Sequence, residues 1–413
     1  QLVHTGNQLQ AADQVSISNS IGRLRFLGAM DWREFVESMS IVEQTLREDP
    51  NGAYARMDFA SRDRYRHVIE KIAKRSSFTE AEVARCAIQL AYAAQTAHPG
   101  CDERTTHVGF YLIGRGLHEL EARAQVRPSV AEKIMKMGSQ YALGVYLGAI
   151  MLLTLLFSAG LITIAYTQGA ADALLVLIGI LGLLATSQLA LALVNWLATL
   201  FVHPQPLPRM DFSTGIPVQS RTLVVVPTML THPDSIDNLV EALEVRFLAN
   251  QDDNLYFALL TDFRDAPEET LDEDAPLLQL AEAGIEALNA KYGTAGKSIF
   301  FLFHRPRCWN PQERMWMGYE RKRGKLADLN ALLRDETHSN AGKRFSSIVG
   351  NTACLANVKY VITLDTDTQL PRDVARELVG AMAHPLNRPR YDEQQQRVCE
   401  GYGILQPRVS VSL

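Results

Sequence analysis

The sequence predicts an α/β fold, in which a helical domain and a transmembrane helical hairpin precede a doubly wound, mostly parallel sheet. Two long runs near the middle of the chain, 137–171 and 173–202, contain no charged residue and no histidine. After them, short apolar runs alternate with amphipathic segments, which is typical of parallel strands connected by helices. Before them, the apolar residues recur with helical spacing.

Composition limits the classes of protein to consider. The chain has 413 residues, more than the ~100–200 of one ordinary domain, so several domains are expected. With 47% hydrophobic and 21% charged residues, it does not resemble a disordered chain. A formal net charge of −5 argues against nucleic acid as a partner. The five cysteines form no CxxC pair, which favours a reducing environment over a disulfide scaffold.

Residues 1–136 are predicted to form a helical cytoplasmic domain. Two capping boxes, 31–34 and 79–82, predict helix starts. The mixed-charge run 62–67 between them is expected to be a solvated helix face. Because no metal or nucleophile constellation is evident, we interpret this domain as a scaffold that packs against the membrane or the downstream domain.

Residues 137–203 are predicted to be a transmembrane hairpin. Each uncharged run exceeds the ~20 apolar residues that span a bilayer. Basic residues lie outside the hairpin and none lies in its connection, 167–172, so both flanks are expected in the cytoplasm. The alternative is a buried helical hairpin of a soluble protein, where two such long uncharged runs are unusual. The flanking basic residues are Arg127, Lys133, Lys136 and Arg209.

A proline-containing linker, 204–220, leads into the α/β domain, 221–413. Ligands of doubly wound sheets bind beyond the carboxyl ends of the strands, and the chain after 403 is expected to be one more strand. The predicted strands are Thr222–Val226, Leu255–Leu260, Ser298–Phe303 and Tyr360–Leu364, and the predicted helices are one that starts at Pro233, Leu277–Tyr292, Leu326–Leu333 and Asp373–Ala383.

Acidic residues follow two of these strands. Asp365 and Asp367 come directly after the strand that ends at Leu364, where a pair of carboxylates can hold a divalent cation that also binds a diphosphate. An ordinary acidic turn is the alternative. Asp262 ends the second strand and could accept hydrogen bonds from a uracil or ribose edge, although alone it would more often be a helix cap or surface acid.

A basic stretch, 305–325, lies between these acids and contains Trp309 and Trp316. RNA binding is one interpretation, but the acidic chain as a whole disfavours it. Lys325 follows a glycine at a predicted helix N-terminus, which suits an anionic phosphate or a pocket wall near a nucleotide. The tryptophans could stack on sugar rings or be ordinary core residues.

These motifs resemble those of a known family. Asp262, the Gly324-Lys325-x-x-Asp328-Leu329-Asn330 segment, and Asp365-x-Asp367 with Leu370-Pro371 are similar to successive motifs of the processive, cellulose-synthase-like glycosyltransferases with the GT-A fold. Segments 31–37, 313–325 and 363–368 are similar to the bacterial cyclic β-1,2-glucan synthases. The resemblance extends from the helical domain to the last residue.

The resemblance implies a UDP-glucose-dependent, inverting glucosyltransferase of the bacterial inner membrane, multi-pass, with its catalytic domain in the cytoplasm. Its partners would be UDP-glucose, the growing β-1,2-glucan and the lipid bilayer. It implies that Asp262, Lys325, Asp328 and Asp365 bind the substrate, and that Asp365 and Asp367 bind Mg²⁺ or Mn²⁺.

Members of this family also carry further membrane helices and a phosphorylase-like module. In related enzymes a later acid is the catalytic base, and no convincing base is evident here. We therefore expect 221–413 to be incomplete at its C-terminus, to be the donor-binding part of a longer enzyme, and not to turn over alone. The alternatives are a non-catalytic or partial GT-A scaffold, or a synthase of another β-glucan.

Overall fold

The structure, a computed structural model, describes most of the chain, and the chain divides into two compact units. One unit comprises 1–68, 87–117 and 208–413, and the other comprises 69–86 and 118–207. The described residues are 17–23, 25, 28, 32–97, 103–126, 141–202, 204–294, 296–334 and 344–408.

The helices cluster before the sheet and between its strands. They are α1 (Trp32–Met39), α2 (Ile41–Leu46), α3 (Phe59–Ala73), α4 (Glu80–Ala97), α5 (Gly109–Leu112), α6 (Leu117–Arg123), α7 (Ala142–Thr167), α8 (Asp172–Phe201), α9 (Pro233–Ala249), α10 (Asp274–Tyr292), α11 (Arg321–Arg334) and α12 (Val374–Ala383).

A five-stranded sheet forms the centre of the first unit, with strand order β6-β3-β2-β1-β7. Four of its strands are parallel, and β6 pairs with β3 in the antiparallel direction. Two short antiparallel hairpins, β4–β5 and β8–β9, lie outside it. The strands are β1 (Thr222–Leu230), β2 (Leu255–Phe263), β3 (Phe300–His304), β4 (Cys308–Asn310), β5 (Met315–Met317), β6 (Ser347–Val349), β7 (Tyr360–Thr363), β8 (Arg390–Asp392) and β9 (Arg397–Glu400).

Alternate residues of the central strands enter two separate cores. Val224 and Phe257 pack on one face with Leu243 of α9. Val225 and Leu260 pack on the other face with residues of α11. Because successive side chains of a strand point to opposite faces, the continuous apolar runs of β1 and β2 follow directly from burial on both faces.

The predicted α/β pattern is confirmed in its main elements. All four predicted strands and the four helices after the hairpin are present, and their ends differ from the predicted ones by a few residues. The antiparallel edge strand β6 and the hairpins were not predicted. The expected strand after Gly403 is absent from 404–408, and the rest of that segment lies outside the described residues.

The second unit contains the predicted hairpin. Helices α7 and α8 have 26 and 30 residues, and both are long and apolar enough to cross a membrane. Ser158 and Thr186 share a buried hydrogen bond of 2.8 Å between the helices, and Tyr146 donates to Asn195 at 2.8 Å. These bonds satisfy polar side chains between two largely apolar helices.

The charged run 62–67 is only partly the solvated face that we expected. The Arg62 and Arg66 side chains are 12% and 10% exposed. Arg62 Nη2 lies 2.6 Å from a carboxylate oxygen of Glu37, and Arg66 Nη1 lies 2.6 Å from the buried carboxylate of Glu43. The helical period places every third or fourth residue of α3 inward, so these arginines serve as buried counter-ions. Of the two predicted capping boxes, 79–82 is confirmed, and Asp31 of the other lies outside the described residues.

A buried hydrogen-bond chain joins the helical segments of the first unit to α12. Leu386 N–H donates to His384 Nδ1 at 3.2 Å, so a neutral His384 carries its proton on Nε2 and donates it to the Tyr65 hydroxyl at 3.5 Å. Tyr65 then donates to His107 Nε2 at 3.2 Å, and His107 Nδ1 donates to Asp49 at 2.8 Å. With a single proton on each histidine ring, every hydrogen bond of this network has one donor and one acceptor.

We predict that two buried histidines make the protein sensitive to acid. Burial lowers the pKa of His304 to about 4, and burial, reinforced by His107, lowers the pKa of His384 well below its usual value. The unfolded chain binds a proton at each site below pH ~6.5, whereas the folded chain does not. The free energy of unfolding should therefore be at its full value above pH ~6.5 and fall by about 1.4 kcal/mol per pH unit per histidine below it.

Thermal unfolding of the detergent-solubilised chain between pH 7.5 and 5 measures this slope. In the His384→Gln variant, the free energy of unfolding should retain only the pH dependence that His304 causes. His67→Gln is the control, because the His67 side chain is 62% exposed, and it should leave the slope unchanged. Equal slopes in all three proteins would contradict the assignment.

Candidate functional site

The carboxyl ends of the parallel strands bring the predicted site residues to one edge of the sheet. Asp262 lies at the end of β2, opposite Met229 of β1 in the strand register. β7 pairs with the first half of β1, and Leu364 N–H continues this pairing with a 3.0 Å bond to Val225 O. Asp365 follows at once. The strand order β2-β1-β7 therefore places both predicted acidic positions beyond the same edge.

Asp262 is completely buried and belongs to an ion pair. Its Oδ1 accepts a hydrogen bond of 2.8 Å from Lys325 Nζ, and Lys325 also donates to the backbone oxygen of Thr228 at the end of β1. The two residues are 0% and 3% exposed. Burial lowers the pKa of Lys325, and the Asp262 carboxylate opposes that shift. Lys325 thus ties α11 to the ends of β1 and β2.

Arg305 adds a second cation to this cluster. Its Nη2 lies 3.6 Å from Asp262 Oδ2 and donates to Tyr319 O at 2.7 Å. Its Nη1 donates to Asp328 of α11 at 3.2 Å. Asp262 Oδ2 itself has no hydrogen-bond partner among the described residues. A buried acceptor with a free lone pair is costly unless a ligand or water satisfies it.

The segment that enters α11 passes too close to this cluster for larger residues. A Cβ at Gly318 would overlap Asp262 Oδ2, and one at Gly324 would overlap Tyr319 O. Between them, Glu320 and Arg321 have φ values of +51° and +45°, a left-handed conformation that costs a non-glycine residue about 1–3 kcal/mol. Strained backbone of this kind is common beside functional sites.

A further ion pair of the same helix reaches the predicted metal-binding loop. Lys322 Nζ contacts Asp365 Oδ1, and both side chains are about half exposed or more. Lys322 and Lys325 are three residues apart, so they lie on the same side of α11. One helix therefore supplies the cations for Asp262 and for Asp365. Arg321, next to them, pairs with Asp265.

Asp367 stands apart from these pairs. It is exposed, and within the described ranges its side chain forms no ion pair or hydrogen bond. Nowhere in the described part of the chain do three or more His, Cys, Asp or Glu residues form a group that could hold a metal. Without a third protein ligand, Asp365 and Asp367 offer two carboxylates on one turn. This set fits a hard cation that completes its shell with water and ligand phosphates, and it does not fit a closed protein cage.

The two tryptophans of the basic stretch lie in the β4–β5 hairpin. Trp309 and Trp316 are cross-strand partners with ring centroids 5.8 Å apart, and Trp309 is 49% exposed. Trp316 also pairs with Ala266 just after β2. Trp309 is therefore exposed and Trp316 half-buried, and neither belongs to the two cores of the sheet.

Comparison with known proteins finds a relative that matches the whole chain. No family model matches the chain. Over all of its 413 residues, it is 38% identical to the cyclic β-(1,2)-glucan synthase NdvB of Rhizobium meliloti (strain 1021). The resemblance predicted from the motifs is confirmed. The chain spans 14% of the length of this curated relative.

The candidate site contains residues that sequence analysis missed. Arg305 was seen only as part of a basic stretch, and its contact with Asp262 depends on the fold of the Gly318 segment. Arg246 and Asn250 of the α9 end hold the backbone that follows Asp365. The available signal was weak: Arg246 lies three residues after Leu243, on the apolar side of α9, where a charged residue is unusual.

We predict that Lys325→Met destabilises the fold strongly. The substitution keeps the volume but leaves the buried Asp262 carboxylate with only the more distant Arg305, and breaking a buried pair from one side costs about 3–5 kcal/mol. Urea unfolding of the detergent-solubilised chain measures this loss. Lys291→Met is the matched control, since Lys291 forms a 2.7 Å pair with Glu244 but is 61% exposed, and exposed pairs contribute little to stability. Similar losses in both variants would contradict a special role for the Asp262–Lys325 pair.

Proposed function

We propose that this chain is the donor-binding region of a membrane-bound, UDP-glucose-dependent, inverting glucosyltransferase that makes cyclic β-1,2-glucan. The 38% identity to a cyclic glucan synthase over the whole chain supports the reaction class. The observation that carries the site is α11, which connects the acid at the end of β2 with the acid after β7 through Lys325 and Lys322. We expect the α/β unit to have the GT-A fold.

In this proposal, the strand ends hold the nucleotide. Asp262 Oδ2, which accepts no hydrogen bond from the described residues, is available to accept one from the uridine. This requires the Gly318 segment to move aside, because Asp262 is buried. Lys325 holds that carboxylate in position, and Asp328 does the same for Arg305. Lys322 would release Asp365 and approach the diphosphate as the donor binds, since its side chain is 49% exposed.

Asp365 and Asp367 would hold Mg²⁺ or Mn²⁺, which supplies positive charge to the leaving nucleoside diphosphate. Inversion also needs a base beside the acceptor hydroxyl. We expect that base, the acceptor site for the growing glucan and a phosphorylase-like module to belong to the rest of the synthase. The exposed Asp367 is the ligand that this chain offers without breaking an existing ion pair.

We predict that UDP-glucose binds to the detergent-purified chain, and that Mn²⁺ strengthens the binding. Asp365→Ala with Asp367→Ala should abolish the metal-dependent part, because the two carboxylates are the proposed ligands. Isothermal titration calorimetry with and without Mn²⁺ measures both effects. Glu268→Ala with Glu269→Ala is the control, since these two acids are also adjacent and exposed.

Each result of this titration has a defined meaning. Loss of the Mn²⁺ effect in the Asp365→Ala, Asp367→Ala variant, but not in the control variant, supports the donor site. Equal loss in the control would show a general effect of negative charge. No binding by a folded wild-type chain, repeated on the full-length synthase with the same outcome, would favour the scaffold alternative.

We also propose that α7 and α8 cross the bacterial inner membrane, with the sheet on the cytoplasmic side. A cysteine at Gln168, in the exposed connection between the two helices, should then react with a membrane-impermeant maleimide in intact spheroplasts of a cysteine-free variant. A cysteine at Asp253, whose side chain is 100% exposed, should react only after permeabilisation. The reverse pattern would contradict the orientation, and equal labelling of both would contradict the membrane span.

A further inference from the structure

Two polar residues at the end of α9 hold the backbone of the acidic loop. Arg246 and Asn250 are four residues apart, so they lie one above the other on the same side of the helix. They are 5% and 3% exposed. Both direct their side chains to the loop 365–371, which carries the proposed metal ligands.

Arg246 binds the first half of this loop through carbonyl oxygens. Its Nη2 donates to Thr366 O and to Thr368 O at 2.8 Å each, and its Nε donates to Thr368 O at 3.2 Å. The ion pairs of the described residues include none for Arg246, and its Nη1 has no partner there. A buried cation without a counter-ion is expensive, so the carbonyl oxygens of the loop are the groups that stabilise the Arg246 guanidinium here.

Asn250 binds the second half of the loop. Its Nδ2 donates to Leu370 O at 3.2 Å and to Pro371 O at 3.0 Å. Its Oδ1 accepts a bond of 3.1 Å from the backbone N–H of Ala375, in the first turn of α12. One amide therefore fixes the loop to the end of α9 and to the start of α12.

We propose that Arg246 and Asn250 are positioning residues for metal-dependent donor binding. They fix the backbone on both sides of Asp367, so that the two carboxylates keep one separation and both stay on the solvent side of the turn. We call these two residues, Arg246 and Asn250, the clamp. The inference rests on the proposed function, because it assigns the clamp a part in binding UDP-glucose with metal.

The first test measures the loop itself. Amide hydrogen exchange of the detergent-solubilised full chain should show at least ~10-fold faster exchange in 365–371 for Arg246→Met and for Asn250→Leu. The matched control is Asn387→Leu. Asn387 is 2% exposed and also donates to two backbone oxygens, Pro208 O and Ala381 O, at 2.8 Å each. The control should leave exchange in 365–371 unchanged.

The second test measures ligand binding. Arg246→Met should weaken Mn²⁺-dependent binding of UDP roughly tenfold, while binding of UDP without metal stays as in the wild type. Guanidinium ion added at millimolar concentration to Arg246→Ala should restore part of the Mn²⁺ effect, since it can occupy the vacated site. A merely structural role would lower both kinds of binding together and would give no rescue.

The outcomes separate this proposal from the proposed function. Unchanged exchange in 365–371 overturns the clamp. Faster exchange with an unchanged Mn²⁺ effect shows that the loop is held there but overturns its role in binding. Absence of metal-dependent binding in the wild-type chain and in the full-length synthase overturns the proposed function and the binding role with it, and the exchange experiment then still decides whether the clamp exists.

Discussion

The burial of the Asp262 carboxylate is the constraint on which the candidate site depends. A buried carboxylate that remains ionised needs cations and hydrogen-bond donors close by. Lys325 and Arg305 supply them, and both must approach from α11 and from the end of β3. The position of α11 over the strand ends follows from this need. The glycines at 318 and 324 follow as well, because side chains there would occupy the space of the carboxylate and of the Tyr319 carbonyl.

Helix α11 transmits this constraint to the second acidic position. Since Lys325 is fixed by Asp262 and by the Thr228 carbonyl, Lys322, three residues earlier, is held on the side of Asp365. The two positive φ values at Glu320 and Arg321 turn the chain sharply enough to begin the helix at this point. Backbone strain is thus located immediately before the two lysines that pair with Asp262 and Asp365.

The sequence predicted the sheet better than the site. Burial on both faces makes β1, β2, β3 and β7 visible as apolar runs, and an acid directly after such a run is conspicuous, as at Asp262 and Asp365. The edge strand β6 has three residues, only half buried, so no periodic pattern marks it. Contacts of Arg246 and Asn250 with the loop connect residues about 120 positions apart, and a single sequence contains no local sign of such pairing. The buried arginines of α3 were hidden for the same reason, because their partners lie on α1 and α2.

The balance of charge at the site gives a reason to expect a metal. Each cation that α11 and β3 direct towards the strand ends already has a carboxylate: Lys325 pairs with Asp262, Arg305 with Asp328, Arg321 with Asp265 and Lys322 with Asp365. The cluster is therefore close to neutral before any ligand arrives. In the proposed function, a nucleoside diphosphate would bring several negative charges, and to neutralise them with these side chains alone would break the buried Lys325–Asp262 pair, at a cost of several kcal/mol. In the proposed function, a divalent cation on Asp367 and Asp365 would supply the missing positive charge, and only the exposed Lys322 pair, which contributes about 0–1 kcal/mol, would have to open.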